Sequence, residues 1–251
     1  MARITAIINQ KGGVGKTTTA AALADGLNRR GYKALAIDAD AQGSLTFIMR
    51  AEATRGIYEA LKGSPAAELI QGTAQGDILP STPALIGADL EFTQTGREYL
   101  LRDALEGISG RYSHIVIDCP PQIGIMTVNA LTAATDAVIP MRADILSLQG
   151  LGQLYDTISK VKRYCNPRLR IAGLLITQNR RTVLSRDLAD VIADQARQLD
   201  TRLYSSQIRE AVCIKEAQTM QESIYTRPRA NPAADYNAFI DEYLKQEETD
   251  A

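Results

Sequence analysis

The chain of 251 residues carries 28 Lys+Arg against 29 Asp+Glu, a formal net charge of −1, with 45% hydrophobic and 23% charged residues. That length and balance exclude an intrinsically disordered chain and a disulfide-stapled miniprotein. The whole-chain charge also excludes a strongly basic DNA-coating protein.

The charge is unevenly placed. Residues 1–155 carry 13 basic and 15 acidic groups, residues 156–229 carry 14 and 8, and residues 230–251 carry 1 and 6, for local nets of −2, +6 and −5. Arg outnumbers Lys 20 to 8, and its planar fork suits phosphate and carboxylate. Basic runs are also common on solvated helix faces, so charge alone leaves nucleic-acid contact open. Cys119, Cys165 and Cys213 lie more than 40 residues apart, and His114 is the only histidine. This spacing argues against a zinc or iron–sulfur site within one chain, and reduced thiols fit a cytoplasmic setting. No stretch resembles a signal peptide or reaches the ~18 apolar residues of a membrane span.

Arg3–Asn9 is a short β-branched run that ends in a glycine-rich turn; Thr17–Arg30 follows with good helix formers up to Gly31. Lys33–Asp38 is a second apolar run, closing on a carboxylate. Residues 50–80 hold several Gly and Pro, which predicts short helices and an edge strand. Further on, Ser113–Asp118, Ala137–Pro140 and Ile171–Thr177 have strand character, while Leu85–Gly107, Leu146–Tyr164 and Ala234–Gln246 have helical spacing. Near-continuous apolar strands alternating with helices predict an α/β fold, doubly wound, with a mostly parallel sheet covered by helices on both faces. No linker, low-complexity tract or repeat is visible, so residues 1–251 are expected to form a single domain.

The stretch Gln10-Lys11-Gly12-Gly13-Val14-Gly15-Lys16-Thr17-Thr18 sits between the first strand and the first helix. It departs from the phosphate-loop pattern GxxxxGK[ST] at the first glycine, where Gln10 stands. Glycines let successive backbone N–H groups turn inward around phosphates, Lys16 adds a point charge, and the Thr17 hydroxyl suits Mg²⁺. The start of the helix contributes its positive dipole end.

On these residues the chain resembles the ParA/MinD group of ATPases, whose deviant Walker A motif is matched by Lys11–Thr18. The resemblance implies a P-loop NTPase fold, ATP and Mg²⁺ as cofactors, and a nucleotide-sandwich homodimer when ATP is bound. In that dimer Lys16 acts on its own chain's phosphates and Lys11 reaches the partner's; Gly12, Gly13, Val14, Gly15, Thr17 and Thr18 complete the phosphate site. Two cations so close repel each other unless a polyanion lies between them. A solvated loop lysine is the alternative for Lys11.

Asp38-Ala39-Asp40-Ala41-Gln42-Gly43-Ser44 matches the family's DxDxQG segment, with Ala41 where Pro is usual. Aspartates at i and i+2 in an extended segment point the same way. The resemblance puts Asp38 near the metal and gives Asp40 the attacking water, a capping role being the alternative for Asp40. Asp118 closes an apolar strand, where open α/β sheets place ligands, and the resemblance gives it Mg²⁺ through water. Pro120-Pro121 stiffens the loop that follows, and Cys119 is expected to pack as a small hydrophobe. Gln178 and Asn179 stand where the family holds adenine, so either amide is a candidate base contact.

ParA/Soj-type relatives bind DNA non-specifically as ATP dimers, whereas MinD-type relatives bind membrane through a C-terminal helix. Here the terminal residues Lys245–Ala251 are net acidic, which anionic lipid repels, so no membrane contact is expected. Arg181 aligns with a DNA-directed arginine of the family. A second such position is Cys213, leaving Arg209 and Lys215 as substitutes. The first strand begins at Arg3, leaving no N-terminal helix-turn-helix, so operator-specific binding is not expected. Cluster carriers of the superfamily need paired cysteines, and its tyrosine kinases a tyrosine-rich tail. The expectation is therefore a partition ATPase whose hydrolysis a ParB-like centromere-binding protein stimulates, cytoplasmic and nucleoid-associated with ATP. A MinD-like or other cargo-positioning ATPase, for cell division, chemotaxis clusters or microcompartments, is the alternative.

Overall fold

The computed structural model describes residues 2–180, 182–227 and 231–250, with side chains as far as residue 246. Its seven strands are β1 (Arg3–Ile7), β2 (Ala34–Asp38), β3 (Gln71–Thr73), β4 (Gly76–Leu79), β5 (His114–Asp118), β6 (Asp136–Met141) and β7 (Arg170–Ile176). They form one sheet in the order β3-β4-β2-β5-β1-β6-β7. Every neighbouring pair is parallel except β3–β4, an antiparallel hairpin at the edge.

The helices are α1 (Lys16–Arg29), α2 (Ser44–Ile48), α3 (Ile57–Leu61), α4 (Ala88–Glu91), α5 (Leu100–Glu106), α6 (Ile125–Ala133), α7 (Ile145–Tyr164), α8 (Val183–Gln198), α9 (Val212–Met220) and α10 (Asn231–Asp250). Alternation along the strands feeds two cores. Ala6, Leu35, Ile37, Ile115 and Ile117 pack with α3, α5, α6 and α7, while Ile7, Ala34, Ala36 and Val116 pack with α1 and α10. Strands buried on both faces are the reason their sequences are apolar almost without interruption.

Chain connectivity positions the site. From β1 the chain crosses to β2 on one side, and from β5 it crosses to β6 on the other, so β1 marks the point where the winding reverses. Ligands of open α/β sheets bind in the crevice at such points, beyond the carboxyl ends of the strands. Register puts Asp38 level with Asp118 across β2–β5, and Ile7 level with Asp118 across β1–β5. Both carboxylates therefore emerge beside the loop that follows β1.

One segment differs from its sequence pattern. Leu85–Gly107 is helical only in pieces: a 3₁₀ turn at Pro83–Gly87, the four-residue α4, and α5. The helix is left at Phe92, whose ring turns into the core beside Tyr58 with centroids 6.0 Å apart. Burial of that ring outweighs continuation of the helix.

Candidate active site

Residues 8–15 connect β1 to α1. Gly13 (φ 72°) and Gly15 (φ 85°) lie in the left-handed region, which glycine enters without Cβ strain. The ends of three strands hold this loop in shape. Asn9 Nδ2 donates to Pro140 O at 2.8 Å, and Asn9 Oδ1 accepts from Lys11 N at 2.9 Å. Thr177 Oγ1 donates to Val14 O at 2.7 Å, and Gln178 Nε2 donates to Gly13 O at 2.6 Å. Asn9 and Thr177 went unremarked in the motif reading; their signal is a polar residue just past an apolar strand.

Lys16 is 7% exposed, and its ammonium donates to Lys11 O at 3.2 Å. Burial pulls its pKa down, with the Asp118 charge working in the opposite direction. Lys11 has a partner within its own chain: Nζ lies 2.9 and 3.0 Å from the Asp144 carboxylate oxygens and 3.3 Å from Ser147 Oγ. Asp144 also caps α7, accepting from Ser147 N at 2.8 Å. Burial opposes its ionisation, yet the Lys11 and Ser147 hydrogen bonds hold its carboxyl below the usual range. The repulsion between the two lysines is thus relieved here by a carboxylate.

The two strand-end aspartates differ in what surrounds them. Asp38 Oδ2 accepts from Thr46 N at 2.7 Å and Thr46 Oγ1 at 2.8 Å, and Oδ1 accepts from Asp40 N at 3.2 Å. Its carboxylate is spent on shaping the loop that carries Asp40. Burial nonetheless pushes its pKa up to about 6, against the pull of the Thr46 bonds. Asp118 is fully buried, and neither oxygen has a well-formed hydrogen bond among the described residues, the Thr17 hydroxyl standing as a looser donor. Burial, then the Asp38 charge, drive its pKa well up, while Thr17 and Lys16 act against the shift. An orphaned carboxylate between a hydroxyl and an ammonium is a donor set suited to a hard divalent cation with water ligands. Cys119, the next residue, is buried in the core with its thiol pushed up by burial, as its packing role requires.

A cavity of about 640 Å³ opens over the loop, lined by Gly12, Gly13, Gly15, Lys16, Thr17, Thr18, Asp40 and Gln178. Phe47, Pro121 and Gln218 also line it, and the volume falls in the range of small-molecule sites. Gln218 on α9 donates to Thr18 Oγ1 at 2.8 Å, a contact no motif signals. Of the two amides, Gln178 lines the cavity, whereas Asn179 turns to the Gln207 side chain and to Ile208 O.

The three basic positions separate. Arg181 lies outside the described residues. Arg209 is engaged by Asp235 through Nε and Nη2, both at 2.7 Å, and through its backbone N at 3.1 Å. Lys215 is exposed on α9.

A strand feeding a glycine loop whose Lys-Thr pair opens a helix, beside a buried aspartate on the adjacent strand, defines a P-loop ATPase of the α/β class. Residues 2–171 match the AAA domain family. A chromosome partitioning protein ParA of Caulobacter vibrioides is 40% identical over 225 residues, covering 86% of this chain and 83% of that protein. The chromosome-partitioning ATPase Soj of Thermus thermophilus is 36% identical over 230 residues, covering 91% and 90%. Among solved structures, cobyrinic acid a,c-diamide synthase from Mycobacterium smegmatis with bound ADP and magnesium superposes with a TM-score of 0.86. It is 32% identical and covers 100% of this chain and 97% of that one. The chain belongs to the ParA/Soj family of partition ATPases.

Proposed function

We propose that this chain binds Mg-ATP in the 640 Å³ cavity and hydrolyses it to ADP and phosphate. ATP assembles two copies into a sandwich dimer that binds DNA without sequence preference. A ParB-like partner stimulates hydrolysis and resets the cycle, in plasmid or chromosome segregation. The observation that carries the reading is Asp118, whose two oxygens are buried beside the phosphate loop without a well-formed hydrogen bond. A carboxylate left that way is costly unless a cation completes it.

Loop N–H groups and Lys16 would hold the β- and γ-phosphates, with Thr17 and Asp118 on the metal side. Bound Mg²⁺ would supply charge neutralisation at the phosphates. Asp40, on the rim of the same cavity, would orient the attacking water, so that the chain contributes positioning and electrostatics. For Lys11 to reach a partner's phosphates it must leave Asp144. The two side chains are half-buried at 29% and 31% exposed, so release of the pair has a cost that the additional acceptor oxygens of a triphosphate must offset.

One feature weighs against a lipid-bound α10: Tyr236, Phe239, Ile240 and Tyr243 are all buried in the core with α1, so the large apolar side chains that would face lipid are already covered. Among the described residues no helix is long and apolar enough to cross a membrane. The synthase relative is less similar in sequence than the two partition relatives, 32% against 40% and 36%, which favours partition. Both cores lie against one sheet, in keeping with a single ATPase domain over residues 1–251.

The test is equilibrium binding of a fluorescent ATP analogue with Mg²⁺. Lys16→Ala is expected to lose measurable binding; retained affinity would remove the phosphate-loop assignment.

A further inference from the structure

Helix α6 begins the segment after Pro120-Pro121, and its N-cap, Gly124, has no side chain with which to cap it. The cap comes from elsewhere. Asp89 Oδ1, on α4, accepts from Ile125 N at 2.6 Å. Its other oxygen, Oδ2, lies 2.6 Å from where a Cβ on residue 124 would sit, so only glycine admits Asp89 this closely. A carboxylate on the first N–H of a helix is a charge-assisted bond at the positive dipole end.

Eight residues earlier the same segment touches the other loop. Ser81 Oγ donates to Asp40 O at 2.7 Å, and Ser81 N donates to Thr46 Oγ1 at 2.8 Å. Thr46 in turn binds Asp38. Leu85 and Ala88, between the two ends, are anchored in the core. Beyond them, Glu91 accepts from Lys62 Nζ at 2.8 Å, tying α4 to the residue just past α3. Ser81–Asp89 is thus a strap anchored at both ends. One end holds the backbone of the proposed water-orienting residue and the other holds the loop after Asp118. A cavity of about 260 Å³, lined by Asp40, Gln42, Ile86, Asp89, Pro121 and Gln122, lies between strap and loops.

We propose that Asp89 is a positioning residue for ATP hydrolysis: through the Ser81–Asp89 strap it fixes the spacing between the Asp40 loop and the Pro120–Gly124 loop. The inference rests on the ATPase reading above. No residue of Ser81–Asp89 lines the cavity that would take the nucleotide's phosphates, so the strap acts on that cavity through Asp40 and the Pro120–Gly124 loop and makes no nucleotide contact of its own. Misplacement of a water-orienting group by about 1 Å is enough to cost on the order of 100-fold in rate.

The experiment measures steady-state turnover and equilibrium ATP-analogue affinity on the same full-length preparations. Asp89→Ala is expected to lower kcat by about tenfold or more while affinity stays within about twofold. Asp89→Asn keeps an acceptor for Ile125 N and is expected to restore most of the rate. Unchanged kcat in Asp89→Ala overturns the proposal, as does an Asn variant as slow as the Ala variant. If Asp89→Ala does not fold, Ser81→Ala tests the strap from its other end, with the same expected split and the same overturning result. A wild-type chain that binds no ATP, or binds without turning it over, sinks the ATPase reading instead.

Discussion

Asp118 shows what a functional residue costs the empty fold. Its carboxylate is buried without a well-formed hydrogen bond and beside Asp38, whose carboxyl burial pushes up to about 6 from an ordinary 3.8. A carboxyl raised in the folded state binds more protons folded than unfolded between those two values. The penalty is absent below the lower value, grows as pH rises through the window, and is complete above the upper one. Nucleotide-free protein should therefore gain stability as pH falls from about 6 toward 4 through Asp38, with Asp118 shifted in the same direction. Asp118→Asn removes the charge and keeps an acceptor oxygen for the Thr17 hydroxyl. We expect it to raise the melting temperature of nucleotide-free protein by about 2–4 °C at neutral pH, equivalent to about 1 kcal/mol. Scanning calorimetry decides it, and a lower melting temperature would mean that the ionised carboxylate is satisfied in the empty fold. Loss of activity with gain of stability is the usual signature of a group kept for chemistry.

At the scale of elements, α10 is the clearest case of tertiary packing assigning a role. Phe239 sits edge-on to Tyr204, centroids 4.9 Å apart at 89°, and Tyr243 bonds Thr5 at 2.7 Å with Arg3 stacked over its ring. Phe239→Ala should cost about 3–5 kcal/mol, read as a lower urea midpoint with an unchanged slope. The sequence pattern made this helix, the parallel strands and the phosphate loop legible, because each is a local periodicity or a contiguous motif. Register was beyond it, and register is what sets Asp38 against Asp118. The same limit applies to the partners of Gln218 and Asp89, and to those of Asn9 and Thr177 across the sheet, although the position of the last two just past an apolar strand is a local signal. Each acts on a residue far along the chain, and none sits in a motif. Lys11 was legible as a second cation, but Asp144, 133 residues away, was not visible as its partner. The fragmentation of Leu85–Gly107 has in part the same origin, since Phe92 leaves α4 to pack beside Tyr58 while Gly96 enters the left-handed region further on.

For the whole molecule, the net charge of −1 is a sum over regions of opposite sign, and the DNA affinity proposed above would depend on which cations are free to meet phosphate. Arg209 is not among the best placed. Its fork is closed on Asp235, whose side chain is only 9% exposed. Opening that pair to reach DNA would give up two charge-assisted hydrogen bonds to a carboxylate that is nearly buried, more than one solvated phosphate contact returns. Lys215, exposed on α9, has no such obligation. Non-specific binding releases counterions, so affinity falls with salt at a log–log slope of about −0.9 for each phosphate neutralised. Lys215→Ala is therefore expected to make that slope shallower by about one unit per chain, equally on unrelated DNA sequences. Arg209→Ala should leave the slope alone and lower thermal stability instead. Salt titrations of ATP-bound protein on two random duplexes measure both. If Arg209→Ala flattens the slope and Lys215→Ala does not, the Asp235 pair opens on DNA and the basic surface is organised around it.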